Sequence, residues 1–150
     1  MASSCRFAFA IHILAVLALK REGGVTSDCL AASVNTNPVV IRRVVSTLRR
    51  AGLVCCAQGA GGGATLCRAP ESIGLDEVYR AVEPLTAFSG HPHQPDLRCP
   101  VGRQIKVVLE EIHASAHQAF AAALAERTLA EVVAMLTESP RPPRRSRKAA

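Results

Sequence analysis

The tightest constraint in this chain is a capped turn between two amphipathic stretches, Asn35-Thr36-Asn37-Pro38. Asn37 carries an N-cap side chain and Pro38 is preorganised for the first helical position, so a helix is expected to begin there. It continues to residue 51, where Gly52 stops it. At about 100° per residue, Ile41, Val44, Val45 and Leu48 fall within one arc, while Val39, Arg42, Arg43, Ser46 and Arg50 lie opposite. Upstream, residues 27–34 read as a short helix with Thr26 as N-cap, and Val25 and Leu30 set as a hydrophobic staple. Helix, three-residue turn and helix is helix-turn-helix spacing, in which the second helix enters the major groove.

The segment beyond Gly52 extends that unit. Residues 53–57 read as a strand, Gly59-Ala60-Gly61-Gly62-Gly63 as a loose tip and 65–68 as a returning strand, together a β-hairpin wing. The glycine run is not a nucleotide loop, because no Lys-Ser/Thr pair and no helix come after it. Thr36, Asn37, Val39, Arg42, Arg43 and Ser46 are candidates to meet base edges, since Arg grips guanine with two bonds and Val can meet a thymine methyl. Arg49 and Arg50, at the negative end of the helix dipole, suit phosphates. Gly61 and Gly62 would let the wing backbone approach the duplex. The plain alternative is an ordinary solvated arginine face.

The rest of the chain is aliphatic and helical. Hydrophobic residues make up 49%, with no Trp, one Tyr and four Phe, a composition suited to helices packed on helices. An apolar run from Phe7 to Leu19 gives a first helix over 4–20, ended by Gly23-Gly24. It is too short to span a bilayer; a signal-peptide core is the alternative to a buried helix. Leu75, Val78, Tyr79 and Val82 mark a helix over 75–82. Residues 84–98 are a Pro-rich loop. A long helix over 100–126 carries a stripe of Ile105, Val108, Leu109, Ile112, Ala116, Ala119, Phe120 and Ala123, suited to a partner helix from a second subunit. Thr128 caps a last helix to Leu136. The expected fold is mainly α with a small β-hairpin wing. Residues 1–83 would form a winged helix-turn-helix domain, 84–138 a sensor loop, dimerisation helix and C-terminal helix, and 139–150 a disordered basic tail.

The net charge of +6 resides largely in that tail, which holds Arg141, Arg144, Arg145, Arg147 and Lys148 and no acid. The remainder has 13 basic residues against 12 acidic ones, so the overall charge alone makes no case for a polyanionic partner. The tail either holds DNA nonspecifically or serves solubility. Six cysteines, Cys5, Cys29, Cys55, Cys56, Cys67 and Cys99, raise a disulfide framework, but a chain this aliphatic needs no staples, so reduced thiols in a cytoplasmic protein are expected. Cys29 is expected in the core. Cys55 and Cys56 should point to opposite sides of their strand. Either could pair with Cys67.

Residues 33–54, from Ser-Val-Asn-Thr-Asn-Pro to Ala-Gly-Leu-Val, resemble the recognition helix of the Rrf2 family of transcriptional regulators. The glycine wing, Ile-Gly-Leu-Asp-Glu-Val-Tyr-Arg-Ala-Val-Glu at 73–83, Cys-Pro-Val-Gly at 99–102 and Thr-Leu-Ala-Glu-Val-Val at 128–133 are similar too, in order over roughly 4–136. The resemblance implies a homodimeric repressor on a palindromic operator, with half-sites about 34 Å apart. Many members carry a wing Arg that enters the minor groove; Gln58 stands at that place here. Cluster-binding members have three loop cysteines six residues apart, whereas this chain has Ala87, His93 and Cys99. Three thiolates are lacking, so no iron–sulphur cluster or other cofactor is expected. His91, His93 and Cys99 are weak candidates for a metal. Cys99, before Pro100, sits near a helix N-cap, which favours thiolate chemistry and a sensor role; its alternative is a structural cysteine. Glu110 and Glu111 cannot face one another on a helix, and no hydrolase spacing occurs, so an enzyme is not expected. The competing class is a winged-helix adaptor that binds protein partners rather than specific DNA.

Overall fold

The computed structural model describes residues 5–20, 23–59, 62–83 and 93–138. Its elements are α1 (Arg6–Leu19), α2 (Ser27–Val34), α3 (Pro38–Arg50), β1 (Val54–Ala57), β2 (Gly63–Leu66), a 3-10 turn (Pro70–Ser72), α4 (Leu75–Val82), α5 (Pro100–Ala125) and α6 (Leu129–Glu138).

Helix α1 is apolar around most of its circumference because it lies at the centre. It packs on α2, α3, α4, α6 and β2, and buries Ala10, Ile13, Leu14, Ala15 and Leu17. The apolar run is thus a core helix. Around it gather Leu30 and Ala31 of α2, the α3 seam, Leu53, Val54, Ala64, Ile73, Val78, Val82 and Leu129, with no buried polar or charged residue among those described.

Local chemistry sets the helix ends. Thr26 Oγ1 accepts from the Cys29 N–H at 3.3 Å, and Asn37 Oδ1 from the Val39 N–H at 2.8 Å. Asn35 closes α2 in the left-handed region, φ 58°, with the Thr36 N–H returning to the Ala31 carbonyl. Thr128 Oγ1 accepts from the Glu131 N–H at 3.3 Å at the start of α6. An antiparallel bridge between Gly74 and Thr128 ties that start to the head of α4, so the C-terminal helix returns to the central core.

The hairpin departs from expectation. β2 covers Gly63–Leu66 rather than 65–68, paired Val54 with Leu66, Cys55 with Thr65, Cys56 with Ala64 and Ala57 with Gly63. The cause is a non-local bridge. Val25 and Ala64 exchange both backbone hydrogen bonds, at 2.9 and 2.8 Å, and draw two more residues into the strand. A Cβ on Gly63 would stand 2.8 Å from the Val25 backbone, so glycine is required where these segments touch.

The cysteines need two corrections. Cys55 and Cys67 are joined in a disulfide, where reduced thiols were expected. Cys29 is exposed rather than core, because α2 turns Leu30 and Ala31 inward and leaves Cys29 on the opposite arc. Cys55 and Cys56 lie on opposite faces, as expected, and both are exposed.

Candidate nucleic-acid interface

Helix α3 divides cleanly. Ile41 and Leu48 are fully buried and Val44 and Val45 nearly so, while Val39, Arg42, Arg43, Ser46, Arg49 and Arg50 are exposed. The 3.6-residue period produces this split, and burial of the seam holds the opposite face outward. Thr36 is half-buried. The Asn37 carbonyl oxygen is spent on its cap, which leaves only its amide N–H groups for another partner.

The arginines differ in their freedom. Arg42 faces Asp28 of α2 at 3.7 Å, a loose pair in which both side chains are largely exposed. Arg50 donates to Thr47 Oγ1 at 3.3 Å, and Thr47 in turn donates to the Arg43 carbonyl at 3.1 Å. Arg50 is thereby drawn back along its helix. Arg43 and Arg49 make no ion pair among the described residues.

Sequence reasoning missed one cation. A cleft of about 600 Å³ opens where the start of α1, the flank of α3 and the end of α4 converge, and Arg6, Arg43, Arg50 and Glu83 are among the residues that line it. Only the topology brings Arg6 there; in sequence it merely precedes an apolar run. Arg6 of α1 thus shares one cleft with two arginines of α3 and with the Glu83 carboxylate.

In the wing, Gln58 is exposed beyond the end of β1. Gly62 is half-buried, and its need for glycine is local: a Cβ would stand 2.5 Å from the Ala57 carbonyl oxygen. Gly61 lies outside the described residues, as do His91 and the tail from residue 139.

Helix α5 runs 26 residues, about 39 Å, and no residue of it is buried. Tyr79 of α4 seats Phe120 at 5.0 Å and His117 at 6.0 Å between ring centroids. The rest of the stripe is partly open, and Phe120 itself stays half exposed. Ile105 and Leu109 are half-buried, and Val108, Ile112, Ala116 and Phe120 are exposed, Ile112 at 56%.

Cys99 is the N-cap residue of α5, exposed, with Pro100 in the first turn. Its N–H donates to the Asp96 carbonyl at 3.1 Å. The Asp96 carboxylate accepts from the Arg98 side chain and N–H, which hold it below the usual carboxylate range. Among the described residues no three His, Cys, Asp or Glu side chains are gathered to hold a metal ion.

This is the geometry of a reading helix beside a wing, with a second long helix behind. The model of the Rrf2 family, described as iron-dependent transcriptional regulators, matches residues 3–135. The chain belongs to the Rrf2 family. It is 38% identical over 128 residues to YwnA of Bacillus subtilis, a candidate HTH-type transcriptional regulator, covering 85% of this chain and 94% of that one. A solved candidate DNA-binding protein is 39% identical, with a TM-score of 0.68 over 85% of this chain and 97% of its own. A candidate regulator from Lactobacillus plantarum is 28% identical, with a TM-score of 0.77 over 89% and 91%.

The chain is therefore a DNA-binding transcriptional regulator of the winged-helix type. The family and these relatives are regulators, not enzymes. No helix among the described residues is long and apolar enough to cross a membrane. The iron in the family description meets a poor donor set here. Cys99 is the single cysteine near the head of α5, and the other five belong to the segments from α1 to the wing, so the residues present do not fit a three-thiolate cluster.

Proposed function

We propose that this protein is a cytoplasmic repressor that binds a palindromic operator as a homodimer through paired α5 helices. The observation that carries this reading is the open apolar stripe of α5, a seam of Val108, Ile112, Ala116 and Phe120 left exposed by the described residues of its own chain. A second copy supplies the same stripe in reverse, and a two-fold axis through it sets two α3 helices on one duplex. Bound across a promoter, such a dimer excludes transcription. Thr36, Val39, Arg42, Arg43 and Ser46 face the bases; Arg49 and Arg50 face phosphates. Gln58, Gly61 and Gly62 form the wing contact. No cofactor takes part. Cys99 is the input, because a thiol modified at the N-cap of α5 acts on the helix that spaces the two reading heads.

The test starts from duplexes that the protein itself selects from a random pool. The expected product is a palindrome with half-sites about 34 Å apart, bound by two chains, with affinity falling steeply as salt rises. Selection of an asymmetric site bound by one chain overturns the dimer. Binding that responds equally to oxidant in wild type and Cys99→Ser removes Cys99 as the input.

A further inference from the structure

The wing carries a bonded cysteine pair that reading DNA does not require. Cys55 on β1 and Cys67, just beyond β2, are joined with their Cα atoms 5.2 Å apart. Cys55, Thr65 and Cys67 share the outer face of the hairpin, while Val54, Ala64 and Leu66 share the inner one. Cys55 is exposed, within reach of solutes. Cys56, opposite Ala64, points to the other face and remains a free thiol. The pair is thus selected by strand parity from three nearby cysteines.

We propose that Cys55 and Cys67 form a reversible thiol–disulfide switch that sets how firmly the wing is held for DNA. The proposal rests on the DNA-binding reading and is independent of Cys99. Its oxidant is a hydroperoxide. One thiolate attacks the terminal peroxide oxygen; the O–O bond breaks and an alcohol or water departs, leaving a sulfenic acid. The second thiolate attacks that sulfur, the S–O bond breaks, and the departing hydroxide takes a proton to become water. Two thiols are oxidised by two electrons and one hydroperoxide is reduced. Small thiols reverse the step by exchange, two of them leaving as their own disulfide.

The consequence depends on which part of the wing is supported. Strand β2 is the supported one: it packs on α1, and the Val25–Ala64 bridge pins it one pair short of the tip. Beyond buried Val54, β1 is exposed over Cys55, Cys56 and Ala57 and is held there by its pairing with β2. A strand paired on one side and open to water gains little stability of its own. The cross-link ties β1 to the anchored β2 and removes open-state freedom of the loop that it closes. A wing ordered beforehand loses less on meeting the duplex, so the oxidised form binds more tightly. Strand β2 stays docked in either state, which makes the response graded.

The experiment compares the full chain after dithiothreitol and after cumene hydroperoxide, using the duplex that it selects from a random pool. Peptide mapping should join Cys55 to Cys67 only after oxidant. Amide exchange over 56–64 should slow, and affinity should rise about five-fold, an expectation of preorganisation. In a Cys99→Ser background, which removes any contribution of that thiol, Cys67→Ser and Cys55→Ser should each lose all three responses, and Cys56→Ser should keep them. A cross-link to another cysteine, or one that forms while exchange and affinity stay equal, overturns the switch. Should no duplex be retained in either state, the DNA-binding reading fails, and the affinity effect with it.

Discussion

Helices α3 and α5 carry the same kind of signal, aliphatic residues repeating at three and four, and the chain treats them differently. The α3 stripe, Ile41, Val44, Val45 and Leu48, is buried by its own chain. The α5 stripe is left to solvent, with Ile112 56% and Phe120 47% exposed. A finished seam holds the opposite face outward; an unfinished one leaves apolar surface for a partner to cover. The periodicity is common to both, and only the packing tells them apart.

The largest effect separates the two seams. Leu48→Ala should cost about 2–5 kcal/mol, because a fully buried leucine leaves a cavity in a dry aliphatic core. On a chain of this size that lowers Tm by roughly 10 °C, and by a similar amount at every protein concentration. Ile112→Glu should leave the winged helix folded and remove only the concentration-dependent part of Tm, since it acts on association. Sedimentation would show a monomer. If both variants shift Tm equally at all concentrations, α5 belongs to the core of one chain and the contrast is broken.

The outward face of α3 gives the next largest effect. Arg43→Ala should weaken binding to the selected duplex by about 1–3 kcal/mol and relax preference at one base pair per half-site. Arg49→Ala should weaken binding across sequences alike and reduce the salt slope by about one per chain. Titrations at several salt concentrations against selected and scrambled duplexes separate them. An Arg43→Ala variant that keeps full sequence preference moves base readout elsewhere on the helix.

Much of this was legible in the sequence where structure is local. Thr26, Asn37-Pro38 and Thr128 each mark a helix start through one side chain and one backbone N–H, and each places its element correctly. The buried arc of α3 comes from spacing alone. The misses share a different cause. The strand at Gly63–Leu66 is extended by Val25, about forty positions away, and no periodicity within the wing encodes that bridge. Arg6 shares a cleft with Arg43 and Arg50 because α1 packs on α3, a fact of topology. The sequence left Cys55 and Cys56 both open as partners of Cys67, and only the register, which puts Cys55 and Cys67 on one face, decides between them. Cys29 was misplaced for a simpler reason: a small thiol has no strong sidedness, and Leu30 and Ala31 decide which way α2 turns.

The smallest effect concerns Asp28, where the two helices of the reading head meet. Its carboxylate stands 3.7 Å from Arg42, with 77% of its own side chain and 61% of the arginine exposed. At that exposure and distance the pair contributes roughly 0–1 kcal/mol to stability, so Asp28→Asn should barely move Tm. Its effect on DNA should have the opposite sign to Arg43→Ala. Removing a negative charge beside the groove-facing surface releases Arg42 and lessens repulsion of phosphates, and affinity should rise two- to three-fold, about 0.5 kcal/mol, most clearly at low salt. Arg42→Ala should cost more in wild type than Asp28→Asn gains, and the double variant should resemble Arg42→Ala. If Asp28→Asn weakens binding instead, the carboxylate is positioning Arg42 for a base. The loose pair would then be part of the reading head rather than a brake on it.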